Sequence, residues 1–201
     1  MKKIMKDAFS LLMITLIAGI LLGAVYYITK EPIARQEQLT KDASCQEVFA
    51  DAASFEADEA DLEAAKKAMQ DAGYTVQTLD ELLTAKDASG ETLGYVLSIT
   101  DPEGYGGDIS FMMGIRTDGT LNGISILSIS ETAGLGMNAK TDAFRNQFKD
   151  KNVEQFTLTK TGSTADSEID ALSGATITST AYEGCVKTAF EAYEVCKEAA
   201  K

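Results

Sequence analysis

Asp170-Ala171-Leu172-Ser173-Gly174-Ala175-Thr176-Ile177-Thr178-Ser179-Thr180 is a turn of small and hydroxyl-bearing residues that runs directly into residues 181–201. That following stretch has no proline and one glycine, with Val186, Ala189, Phe190 and Tyr193 at helical spacing, and it predicts a closing helix with one apolar face. Unpaired backbone N–H groups and the positive end of the helix dipole then point into the turn and favour an anion there. Gly174 and Ala175 leave room for a bulky group to approach the backbone. Serine and threonine also begin helices with no functional purpose, so the stretch needs its context before it is more than a cap.

Working outward, residues 92–100 (TLGYVLSIT), 109–117 (ISFMMGIRT) and 121–128 (LNGISILS) are β-rich runs parted by Gly, Asp and Pro signals. Asp118-Gly119 between the last two is a hairpin signal. The runs predict a twisted antiparallel sheet with glycine-rich loops at one end, and Met112 and Met113 are read as core. Residues 138–148, with Phe144 and Phe148 four apart, predict a short amphipathic helix, and residues 154–159 an edge strand. The fold class is α+β, a sheet packed by helices.

Near the start, residues 8–29 hold no charge; as a helix they span roughly 33 Å, enough to cross the hydrocarbon core. Lys2, Lys3 and Lys6 precede this run and Tyr26 and Tyr27 close it, which keeps the N-terminus cytoplasmic and sends the rest across the membrane. A cleaved signal peptide is the competing reading, but no A-x-A-like site follows the apolar core. The expected organisation is a basic tip and single transmembrane helix over residues 1–29, a stalk with packing helices over 30–73, and an extracytoplasmic domain over 74–201. In the middle section, Pro32 opens a helical stretch as a first-turn residue. Residues 58–72 form a second helix that ends at Gly73.

The net charge of −13 argues against nucleic acid as a partner. Residues 1–29 hold three lysines and one aspartate, which leaves a net −15 on residues 30–201. That balance suits a soluble acidic domain. The chain has no histidine, so His triads, His general bases and His-ligated metals are excluded. No catalytic residue or metal-ligand set is identified, and hard chemistry would have to come from a cofactor or another polypeptide. Cys45, Cys185 and Cys196 make no C-x-x-C pair. Cys185 and Cys196, about 16 Å apart along one helix, cannot bridge each other. A bridge from Cys45 to either is open.

Asp170-x-x-Ser173-Gly174-Ala175-Thr176 resembles the D-x-x-[S/T]-G-A-T flavinylation motif of the FMN-binding domain family. A second segment, residues 126–136 with Glu131-Thr132-Ala133-Gly134-Leu135-Gly136, resembles the family's H-x-E-T-x-G-L-G loop. Gly104-Tyr105-Gly106-Gly107-Asp108-Ile109 resembles its G-Y-G-G-x-I segment. The sequence departs from the pattern at Ser130, where histidine is usual, and at Ala133, where proline is usual. The absent histidine removes one hydrogen bond to the flavin or its loop.

The resemblance implies FMN joined covalently through its phosphate to Thr176, installed from FAD by an ApbE-type flavin transferase. Ser173, Gly174 and Ala175 would form the turn that receives the phosphate, with Ile177 and Thr178 beside it. Asp170 would either help bind the transferase's metal or shape the turn. Glu131, Thr132, Gly134 and Leu135 would contact or cover the ring, with Leu135 and Ile177 shielding it apolarly. With its single N-terminal anchor, the chain resembles the RnfG family of the Rnf electron-transport complex. The NqrC family of the sodium-pumping NADH:quinone reductase is a close relative.

On that resemblance the chain is the flavin relay of an ion-translocating ferredoxin:NAD oxidoreductase. It would be a single-pass protein of the cell (inner) membrane whose partners are the other membrane components of the complex. The alternatives are an FMN relay of another extracytoplasmic pathway and, of a different class, a cofactor-free membrane-anchored interaction module.

Overall fold

The computed structural model describes residues 2–199, so Met1 and the last two residues of the expected closing helix lie outside the described residues. The chain divides into two compact units, Met1–Asp42 and Ala43–Lys201. The first is wholly helical, the greater part of α1 (Lys2–Val48). It is long and apolar enough to cross a membrane, and none of its most apolar window is buried within the protein. The hydroxyls of Thr15 and Thr29 in this run bond back to the carbonyls of Leu11 (3.1 Å) and Val25 (2.9 Å), so neither needs water. Pro32 does not open a new helix; it lies inside α1. Its ring already holds φ in the helical range, so the helix continues without the one bond to the Ile28 carbonyl that a proline cannot make.

The second unit is built on a five-stranded antiparallel meander, β1 (Ser54–Ala57), β2 (Thr78–Lys86), β3 (Thr92–Asp101), β4 (Ile109–Arg116) and β5 (Leu121–Ser128), paired in that order. β3, β4 and β5 fall on the runs expected from the sequence, and Asp118-Gly119 turns between β4 and β5 with Gly119 at φ 88°. β1 and β2 extend the sheet beyond the expectation. The register pairs Asp101 with Ile109 and Ser110 with Ser128. Consequently the β3–β4 loop and the loop that follows β5 leave the sheet at the same end.

Alternation along the strands divides the core. Leu97, Ile99, Phe111, Met113 and Ile115 face a large layer beneath α2 (Glu59–Asp71) and α4 (Thr176–Ala199). Val96 and Met112 face a smaller one closed by Cys45, Val48, Phe49 and Ala52. α4 contributes Tyr182, Cys185, Val186, Ala189, Tyr193 and Cys196, all fully buried, and Tyr182 stacks on Phe111 with ring centroids 5.0 Å apart. Cys45 therefore lies across the sheet from Cys185 and Cys196, and the Cys45 bridge left open by the sequence is precluded. The Cys45 thiol meets the Met112 sulfur at 3.6 Å.

Two further expectations change in detail. The expected helix over 138–148 is broken into a 3-10 turn (Gly136–Lys140), one turn of α-helix, α3 (Asp142–Arg145), and a second 3-10 turn (Asn146–Phe148). The expected edge strand is β6 (Thr157–Thr159), which pairs in parallel with β7 (Glu168–Asp170) in a separate two-stranded sheet. β7 delivers the chain to the start of α4.

Burial raises the Cys185 thiol well above its usual range and the Cys196 thiol to about 12. In the unfolded chain these thiols ionise near 9, whereas in the fold they stay protonated to far higher pH. Their contribution to stability is complete below about pH 8.5 and is lost as pH rises through the folded values. Both thiols should react with a disulfide reagent at about pH 8 only after denaturant is added, and a pH series of urea midpoints should fall on the alkaline side.

Candidate functional site

The first turn of α4 is set by local hydrogen bonding. Its first main-chain bond runs from the Ser179 N–H to the Ala175 carbonyl (3.0 Å), so the N–H groups of Thr176, Ile177 and Thr178 precede the helical ladder. The helix begins at Thr176, five residues earlier than expected, which makes Thr176 its first residue rather than part of the turn. Ser179 is fully buried. Its hydroxyl accepts the Leu172 N–H (2.9 Å) and donates to the Ala175 carbonyl (2.9 Å), tying both sides of the turn to the helix. Gly174 makes the reversal at φ 72°, a conformation other residues rarely adopt. Upstream, Gln147 accepts the Asp170 N–H at 2.6 Å and holds the other end of the turn.

This helix start faces the two loops from the end of the sheet, and together they enclose a cavity of about 480 Å³, within the range of small-molecule sites. From the turn and helix come Gly174, Ala175, Thr176, Ile177 and Thr178; from the loop after β5, Glu131, Thr132, Leu135 and Gly136; and from the β3–β4 loop, Tyr105. Of the residues singled out in the sequence, Asp170, Ser173 and Gly134 are not in the lining.

Tyr105 and Gly136 fall within the motif segments but are given no role at the site by the sequence reading, and both line the cavity. Gly136 is legible only from packing. A Cβ there would lie 2.7 Å from both Glu131 Oε2 and Thr178 Oγ1, so only glycine lets the loop lie against α4.

The cavity has an apolar rim and a polar floor. Leu135 and Ile177 are large apolar side chains left 41% and 52% exposed at its edge. Thr178 is buried, and its hydroxyl has no hydrogen-bond partner among the described residues. One turn further along α4, the buried Tyr182 hydroxyl is likewise unpartnered. Burial pushes its phenol far above the usual tyrosine range, with Cys185 and Glu131 adding to the shift and Arg145 opposing it. Asp170 Oδ1 is a third such atom; Oδ2 accepts from the Ser163 hydroxyl at 3.3 Å. Buried polar atoms without protein partners are uncommon in folded proteins, and one lining a cavity is free to bond a water or a ligand atom there. A larger groove of about 760 Å³ lies at the opposite end of the sheet, by Asp118 and Gly119, with mixed charges in its walls. None of the unpartnered buried atoms among the described residues lines it.

Residues 104–191 match the model of the FMN-binding domain, and residues 1–48 match that of the RnfG N-terminal region. The G subunit of the proton-translocating ferredoxin:NAD(+) oxidoreductase complex of Clostridium ljungdahlii is 37% identical over 87% of this chain and 83% of its own length. The chain belongs to the RnfG family. The corresponding G subunit of the Na(+)-translocating complex of Acetobacterium woodii is 32% identical over 96% of this chain and 93% of its own length.

Among solved structures, the C subunit of the Na(+)-translocating NADH-quinone reductase from Parabacteroides distasonis shares the fold of this RnfG homologue. The TM-score is 0.55 at 17% identity, covering 81% of this chain and 94% of that one. NqrC of Shewanella oneidensis gives a TM-score of 0.50 at 18% identity over 59% of each chain.

Removing the Ser179 hydroxyl would strand the Leu172 N–H and loosen the turn. Ser179→Ala should cost about 1–3 kcal/mol, read as a lower urea midpoint with an unchanged slope.

Proposed function

We propose that this RnfG homologue carries FMN joined through its phosphate to the Thr176 hydroxyl and relays electrons within an Rnf-type ferredoxin:NAD oxidoreductase complex. The observation that carries the reading is the meeting of three features at one cavity. They are a threonine at the first position of a 24-residue helix, an unpartnered hydroxyl on Thr178 beside it, and an apolar rim of Leu135 and Ile177.

The residues fit the group. A phosphate at Thr176 meets the N–H groups that precede the α4 ladder and the positive end of the helix. Gly174, and Gly136 across from it, leave the backbone bare enough for close approach. Thr178 Oγ1 supplies a hydrogen bond for a polar atom of the cofactor, and Glu131 and Thr132 line the facing wall. Ser173 and Gly134 act through the shape of the two turns. When bound, the flavin supplies reversible electron uptake and release, a chemistry that no side chain in the cavity provides. The protein's part is to hold the phosphate, cover the ring and exclude water from one side.

Asp170, six residues before Thr176, has one carboxylate oxygen buried and the other accepting from the Ser163 hydroxyl, so in the folded chain it shapes the turn, and contact with the metal of an ApbE-type transferase would need the turn to open. A tether suits a cofactor held outside the cytoplasm, where a dissociated flavin would be diluted away. The lysines before the apolar run keep the N-terminus cytoplasmic and put the flavin unit on the extracytoplasmic side of the cell membrane, beside the other membrane components. The competing interaction-module reading treats the hydroxyl turn as a cap alone.

In-gel fluorescence of the denatured chain, co-expressed with a flavin transferase, tests the reading. The wild type should give a flavin band and Thr176→Ala none. The variant's stability should fall by no more than about 1 kcal/mol, the scale of a lost helix-start hydroxyl. No band in either protein would overturn the flavin reading.

A further inference from the structure

Among the described residues of the unit Ala43–Lys201, the exposed large apolar side chains are Val76, Tyr105, Leu135 and Ile177. A scattered exposed apolar residue needs no explanation, but three of these four converge on one cavity. Tyr105 is the most exposed of them at 70%, and it is held differently from the other two. Leu135 lies over the turn, its Cδ2 3.0 Å from where a Cβ on Gly174 would be, and Ile177 belongs to α4 itself. Tyr105 lines the same cavity from the β3–β4 loop.

That loop is pinned. The Gly106 N–H donates to Glu131 Oε1 at 3.3 Å, and the Gly107 N–H closes a turn on the Gly104 carbonyl at 3.3 Å. The Gly106 backbone passes so near the Ser130 carbonyl that a side chain at 106 would overlap it. The phenol is thus carried to the cavity mouth on a braced loop, yet its own ring is largely open to water. A bulky aromatic group held in place but left uncovered is missing the surface it should pack on.

We propose that Tyr105 is the aromatic wall of the flavin site, its ring in contact with the bound isoalloxazine, and that Glu131 is the positioning residue that holds it there. The assignment rests on the flavin reading above. It gives Glu131 a specific part, since one carboxylate oxygen anchors the Tyr105 loop while the other lies against Gly136 and the start of α4.

A phenol touching a photoexcited flavin donates an electron to it and quenches its emission; the electron then returns, so the cycle leaves no net change. Phenylalanine fills nearly the same space and is not oxidised in this way. The experiment uses the full-length flavinylated protein in detergent and compares wild type, Tyr105→Phe, Tyr105→Ala and Glu131→Ala.

Folded wild type should emit several-fold less per flavin than after denaturation. Tyr105→Phe should recover most of that emission while keeping the flavin shielded from acrylamide. Tyr105→Ala should recover it and also expose the flavin to acrylamide. Glu131→Ala should fall between wild type and Tyr105→Ala. Normal flavin loading with folded emission unchanged in both Tyr105 variants would overturn the assignment and leave the proposed function standing. A wild-type chain that carries no flavin would overturn both.

Discussion

Burial of one face of α4 against the sheet is the constraint on which the rest of the globular unit depends. Tyr182, Cys185, Val186, Ala189, Tyr193 and Cys196 are all removed from water on that face, and the Phe111–Tyr182 stack sets where along the sheet the helix lies. Burial of a single large apolar side chain is worth about 1.5–3 kcal/mol, so the face as a whole outweighs any one interaction at the site. The position of the helix start follows from this packing. It falls at the end of the sheet from which the β3–β4 loop and the loop after β5 emerge, because a meander returns those two loops to the same end.

Around that fixed point the polar groups divide into satisfied and unsatisfied sets. Ser179 and Gln147 spend their hydrogen bonds on backbone and make the turn rigid. Thr178 and Asp170 keep a buried oxygen without a partner. Of the two, only Thr178 lines the cavity, so its hydroxyl is the one a bound group could reach. The chain's acidic balance does not oppose a phosphate at Thr176, because the helix start presents partial positive charges there.

Much of this is legible in the sequence, and the exceptions have definite causes. Strands β3 to β5 alternate or run apolar between strong turn signals, and the hydroxyl turn announces itself locally. β2 is hidden because a register shift between Leu79 and Glu81 places its buried Leu79 and Leu82 three apart, a helical spacing, with two acidic residues between them. β6 reads as an edge strand because its parallel partner lies beyond a polar loop. Residue type puts the start of α4 too late, since Thr-Ile-Thr-Ser-Thr is a poor helix former by propensity; burial of Thr178 and Ser179 overrides it. Tyr105 and Gly136 stand in recognisable motif segments, but their parts in the cavity are not legible there, since one matters through exposure and the other through the space between two side chains.

The sequence by itself determined the apolar N-terminal helix, the α+β class and the chemical character of the turn. All three depend on residues close together in the chain, where periodicity and residue type are decisive. Only the tertiary structure decided that Leu135, Ile177 and Tyr105 would share one rim, that Glu131 would brace the Tyr105 loop, and that Cys45 would lie across the sheet from Cys185 and Cys196. Those relations join residues dozens of positions apart, and the register of the sheet and the packing of α4 set the distances between them.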